Sequence, residues 1–169
     1  LVTDVSEAIA ALKSYGIDPS VYNEYSPGKI IDSQPNKLIS RGFNQWDEEW
    51  EVGGLVSNTV NSKNYISVIP NTTYYYCCTA TSAGNCDMYF YDKDKNQIEI
   101  PSGLYNQTFT TPSNCHYIKF RMNGAYGTTY NHDICINISN TALNGTYKPY
   151  VANEYTITAP VMRSAGSVL

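Results

Sequence analysis

Two histidines, five cysteines and a cluster of carboxylates around two tryptophans are the residues of this chain best equipped for chemistry. His116 and His132 lack the H-x-x-x-H or H-E-x-x-H spacing that sets two imidazoles on one helix face around a metal. Cys115 immediately precedes His116, so on a strand thiol and imidazole project to opposite faces and cannot act as nucleophile and base. No G-x-S-x-G elbow is present. Cys77, Cys78, Cys86, Cys115 and Cys135 are odd in number and lack repeated C-x-x-C spacing. They read as plain buried thiols, with a bridge from Cys86 to Cys77 or Cys78 as the alternative.

Asp47, Glu48, Glu49 and Glu51 crowd one segment, "FNQWDEEWEVGG". Glycoside hydrolysis needs two carboxyls facing each other about 5 to 10 Å apart, and neighbours along one loop do not face each other. A solvated acidic loop is the plainer reading. "DKDKN" (Asp92, Asp94, Asn96) opens like a calcium loop, but Gln97 stands where the glycine is required and Gly103 where the bidentate Glu should be. A hairpin turn is expected there. The sequence therefore points to no catalytic residue, no metal and no cofactor.

The tryptophans and tyrosines suggest binding instead. A sugar offers an apolar CH face rimmed by hydroxyls, so its site wants an exposed aromatic plane with polar side chains beside it. Trp46 next to Asp47 fits that description, whereas Trp50 shares parity with Val52 and reads as an inward anchor. The glycine-punctuated loop "NGAYGTTYNH" adds Tyr126, Tyr130 and His132, on the ground that binding residues favour loops carried by rigid sheets. Tyr89 and Tyr91 of "MYFYD" and Arg121 of "YIKFRM", beside Lys119, would line a common surface if their strands are neighbours. The candidate ligand-binding set is thus Trp46, Asp47, Tyr89, Tyr91, Arg121, Tyr126, Tyr130 and His132. The competing reading gives these rings to packing.

The elements that must position them are strands. Charged residues make up only 15% of the 169, while tyrosine alone reaches 16 copies, a composition suited to β-structure with weakly charged faces. One domain with a real core is expected at this length. From Asn36 onward, short alternating runs are separated by Gly, Asn, Pro and Ser clusters, the pattern of a sandwich or barrel. Ile118, Phe120 and Met122 fall on one face of their strand, and Ile134, Ile136 and Ile138 on one face of theirs, each opposite a wet face. Weaker alternation marks "NYISVI", "TYYYCCTA" and "DMYFYD"; "SAGN" is expected to turn the second into the third, and "DKDKN" the third into "QIEI". A turn at Asn144 and Gly145 precedes a last strand through Tyr155 and Ile157.

Ahead of the strands, Asp4 and Glu7 form a capping-box pattern, Val5, Ile9 and Leu12 a narrow apolar stripe, and Gly16 a stop, so residues 1–16 read as a short helix. That stripe suits either docking on its own domain or association with copies of itself. Residues 17–35 read as a linker, 36–160 as the β-sandwich domain and 161–169 as the start of another segment. A net charge of -4 offers no basic stripe for nucleic acid or a membrane surface, and no apolar run reaches the ~18 residues of a membrane span. The opening residues lack the pattern of a signal peptide, and the absence of an initiator Met suggests a piece of a longer protein.

"NKLISRGFNQWDEEWEVGG", "SKNYISVIPNTTYYY", "MYFYDKDKNQIE", "YIKFRMN" and "NGTYKPY" together resemble the β-sandwich modules of tail-fibre, baseplate and receptor-binding proteins of phages and prophages of Gram-positive, gut-type bacteria. The likeness covers about residues 36 to 158. It implies an all-β, jelly-roll-like antiparallel sandwich similar to carbohydrate-binding modules, set in a virion appendage that is commonly a homotrimer with neighbouring fibre domains. It implies a bacterial surface glycan as partner and supplies no catalytic residues. A structural spacer or trimerisation domain, and then a glycan-cleaving enzyme, are the alternatives.

Overall fold

A computed structural model describes residues 32–34, 37–80 and 84–156. The expected helix over 1–16, the segment 161–169 and Ile157 lie outside the described residues, as does most of the 17–35 linker. Its last part pairs instead as a strand.

Twelve strands and no helix make up the described residues. In chain order they are β1 (Asp32–Gln34), β2 (Lys37–Arg41), β3 (Trp50–Val52), β4 (Val60–Ser62), β5 (Ile66–Ser67), β6 (Thr73–Cys78), β7 (Cys86–Tyr91), β8 (Gln97–Glu99), β9 (Gln107–Thr110), β10 (Tyr117–Met122), β11 (Ile134–Ile138) and β12 (Ala152–Thr156). They form three antiparallel sheets. One runs β1-β2-β12, the largest β3-β4-β10-β7-β8 with β5 also on β10, and the third β11-β6-β9.

The architecture is sandwich-like because the largest sheet and the β11-β6-β9 sheet turn apolar faces toward each other. Ile118, Phe120 and Met122 of β10, with Met88 and Phe90 of β7, meet Tyr74 and Tyr76 of β6, Phe109 of β9 and Ile134 and Ile136 of β11 in one buried cluster. Period-two alternation creates both faces. The Tyr76 hydroxyl crosses the layer to the Met122 sulfur at 2.9 Å, and the Phe90 and Phe109 rings meet at 5.9 Å.

Three sequence expectations need correction. "SAGN" does not make a hairpin of β6 and β7: β6 pairs β9 and β11, whereas β7 pairs β8 and β10, so the chain crosses from one sheet to the other. Local turn residues mark the break but not where the next strand goes. The second face of β11 is not wet, since Cys135 and Asn137 are fully buried and Phe43, Cys77, Tyr75 and Tyr147 cover that side of the sheet. Finally, Trp50 is only half-buried against the core and Val52 is 48% exposed, because β3 is an edge strand.

Other expectations agree with the structure. β7 and β8 pair around "DKDKN". Gly145 takes the left-handed φ of +85° that its turn requires. All five cysteines are free and buried.

Candidate functional site

The outer face of the largest sheet gathers side chains from β3, β4, β5, β7 and β10. Cross-strand register aligns Tyr117 with Tyr91 and with Ser67, Lys119 with Tyr89, and Arg121 with both Asp87 and Asn61; Asn61 in turn faces Glu51. Residues directly opposite in an antiparallel pair share a face, so the register alone builds this surface. Tyr89, Tyr91 and Arg121 are thus brought together as the sequence anticipated, with Lys119 beside them.

Tyr65, just before β5, is the most open ring here at 36% exposure. It meets Tyr91 edge-on at 5.0 Å and Tyr117 at 5.9 Å. Tyr91 itself lies beneath it, only 7% exposed, so its expected role as a bare binding ring is corrected to a support for Tyr65. Burial pushes the Tyr91 phenol above its ordinary value, with the Tyr65 and Tyr89 phenols adding to the effect. Tyr89 and Arg121 are half-buried. The Arg121 guanidinium pairs with the buried Asp87 carboxylate, Nε donating at 2.8 Å, and Gly103 N–H donates to the other Asp87 oxygen at 3.3 Å. Arg121 is therefore committed within the protein.

The turn between β7 and β8 overhangs this face. Asp92 Oδ1 accepts the amides of Asp94 and Asn96, each at 2.9 Å, and Oδ2 accepts the Asn96 side chain at 3.0 Å. Those bonds, led by the Asn96 side chain, hold the Asp92 carboxyl below its ordinary value. Its oxygens serve the turn. Lys95 takes a left-handed φ of +64°, and its ammonium lies 4.9 Å from the Tyr65 centroid and 5.8 Å from that of Tyr117. Lys119 approaches the same Tyr65 ring at 5.6 Å. Among the described residues no group of His, Cys, Asp and Glu is placed to hold a metal ion.

The remaining expected site residues belong to a different place. Trp46 is 0% exposed, edge-on to Phe120 at 4.8 Å and to Tyr130 at 4.7 Å, with its indole N–H donated to the Glu49 carbonyl at 3.2 Å. Tyr130 and Tyr126 are 4% and 7% exposed. The expectation that Trp46, Tyr126 and Tyr130 are bare aromatics is corrected: all three belong to the buried core cluster, where large rings gain more by leaving water and packing on one another than by facing a ligand. The Tyr126 hydroxyl donates to Asp133 at 2.6 Å and accepts the Asn131 amide at 3.0 Å, which fastens the glycine-punctuated loop. Asp47 accepts from Glu49 N–H at 3.1 Å and from the Asn64 side chain at 2.9 Å.

At the centre of that knot stands Glu48, which the sequence reading grouped with an acidic loop. Its Oε1 accepts the hydroxyls of Tyr130 and Tyr147, both at 2.7 Å, and its Oε2 the Tyr150 amide at 2.9 Å. Burial pushes this carboxyl up, but the Tyr150 amide, the two hydroxyls and His132 outweigh it and hold the group below its ordinary value. His132 is exposed, with Nδ1 3.6 Å from Glu48 Oε1 and its ring 4.8 Å from Tyr130. Glu48, Tyr147 and Tyr150 thus tie "DEE" to "NGTYKPY" across about a hundred residues of chain, a partnership no local pattern reveals.

Tyr65, Tyr117 and Lys95 are not among the ligand-binding residues expected from the sequence. Tyr65 and Tyr117 had a usable signal, since each alternates with the buried Ile66 or Ile118. Lys95 had none, because its direction follows from the turn's backbone. Compared with known proteins, the chain matches no family model, no curated protein and no solved structure.

Proposed function

We propose that the protein is a noncatalytic carbohydrate-binding module, jelly-roll-like in topology, of a phage or prophage tail fibre or baseplate, attaching to a bacterial surface glycan. The ligand face is the outer face of the largest sheet, with Tyr65 and Tyr117 as the contact rings and Tyr89 beside them. The observation that carries this reading is the Tyr65, Tyr91, Tyr117 cluster, an edge-to-face aromatic surface on paired strands with Tyr65 open to solvent. Rings held in place by a sheet lose little freedom on binding, which favours contact with the CH face of a sugar. The tail-fibre setting, the homotrimer, the neighbouring fibre domains and an N-terminal helix at the end of a shaft rest on the sequence resemblance alone. Trimeric display would raise weak single-site binding by roughly 10² to 10⁴.

A structural spacer is the second reading, favoured by the enclosure of Trp46, Tyr126 and Tyr130. Binding of the chain to an array of bacterial glycans, repeated with Tyr65→Ala and Tyr117→Ala, separates the two. Binding lost in both variants at unchanged melting temperature is expected; binding to no glycan would leave the spacer.

A further inference from the structure

We infer that the ligand of this face is an anionic saccharide, one whose carboxylate or phosphate is met by Lys95 with Lys119 beside it. The inference rests on the reading of the face as the ligand surface and adds the chemical class of what binds.

The lysines near the face and Arg121 are, with one exception, paired with carboxylates. Arg121 is paired with Asp87, Lys119 with Glu51 at 3.6 Å, Lys63 with Glu49 at 3.4 Å and Lys93 with Asp94 at 2.8 Å. Lys95 is the exception. Among the described residues it has no carboxylate partner, and its contacts are the Tyr65 and Tyr117 rings. The acids nearest along the chain are Asp94, which pairs with Lys93, and Asp92, whose two oxygens accept the hydrogen bonds of the turn.

An ammonium over a phenol ring is held by the ring's negative face, yet the ring accepts no hydrogen bond of the strength a carboxylate does. Lys95 therefore keeps donors for an incoming anion while its side chain is already placed. Lys119, only 11% exposed and 3.6 Å from the Glu51 carboxylate, adds a second, largely neutralised positive charge behind the same ring. The chain as a whole carries a net charge of -4 and the other cations around the face are paired, so the site offers one ammonium without a carboxylate partner and no broad positive field. Long-range attraction does not explain it; close contact with an anion on a sugar that also lies against Tyr65 does.

The test uses the full chain on an array of neutral, uronate-bearing and phosphate-bearing saccharides, at low and high salt, with Lys95→Met and Tyr65→Ala alongside. Lys95 is exposed and in a turn, so its variant should melt with wild type. Expected are hits among the charged saccharides, weakened by salt, with Lys95→Met lowering their affinity about ten-fold while sparing any neutral hit. The uronate and phosphate arms decide which anion is preferred. Neutral saccharides bound as tightly as charged ones, or Lys95→Met without effect on charged hits, would overturn the charge inference alone. Absence of any hit, or hits that survive Tyr65→Ala, would overturn the face itself and the inference with it.

Discussion

Replacing Glu48 puts the tie between distant segments to a quantitative test. Its carboxylate, 14% exposed, receives two tyrosine hydroxyls at 2.7 Å and one backbone amide at 2.9 Å. A hydrogen bond to a charged group contributes about 1.5–3 kcal/mol, and the three share one acceptor group, so their joint loss is less than additive. For Glu48→Ala we expect a loss of about 3–5 kcal/mol, a large fraction of the roughly 5–15 kcal/mol that stabilises a domain. Glu48→Gln should lose about 2 kcal/mol, since its amide places donors where a donor already points. The discriminating variant is Glu48→Gly. Glu48 sits at φ +60°, a conformation costing a side-chain-bearing residue about 1–2 kcal/mol that glycine escapes. If backbone strain ruled the site, Gly would stabilise; if the carboxylate ties the fold together, Gly must still destabilise, by about 2–3 kcal/mol. Urea unfolding followed by tryptophan fluorescence measures all three. A Gly variant as stable as wild type would refute the reasoning. The pH dependence carries the same sign test: because the folded carboxyl is held below its ordinary value, its contribution is present above about pH 4.3 and is lost as pH falls through the lower folded value. Glu48→Gln should flatten that part of the acid limb.

Trp46→Ala removes a fully buried ring packed on Phe120 and Tyr130 and should cost about 3–5 kcal/mol in urea unfolding; a loss under about 1 kcal/mol would contradict its place in the core. Burial pushes the thiols of Cys78 and Cys115 up to about 11 and that of Cys135 up to about 12. Native protein at neutral pH should therefore leave all five cysteines unmodified by a thiol-reactive disulfide until denaturant is added. Asp87→Ala strands the half-buried Arg121 guanidinium and releases the Gly103 amide, an expected loss of about 1–3 kcal/mol that Asp87→Asn should partly restore; equal losses in the two variants would argue against the pairing.

The sequence by itself determined which side chains point together along each strand. In β10 the alternation of Ile118, Phe120 and Met122 with Tyr117, Lys119 and Arg121 is legible residue by residue, and the structure buries the first set and leaves the second half-exposed. That much follows from a period of two, a property of backbone geometry that needs no partner. Which strands became neighbours was decided elsewhere. The pairing of β7 with β10 and the departure of β6 to the other sheet depend on contacts between residues far apart in the chain. The same reason removed Trp46, Tyr126 and Tyr130 from the candidate surface, since a ring's exposure depends on what is packed over it and not on its neighbours in sequence. Glu48 and Lys95 mark the limit on the other side: each has a left-handed backbone that aims its side chain at groups brought near only by the closed sheets. Local chemistry set the two faces of each strand, and long-range packing chose which face became core and which stayed toward the surface.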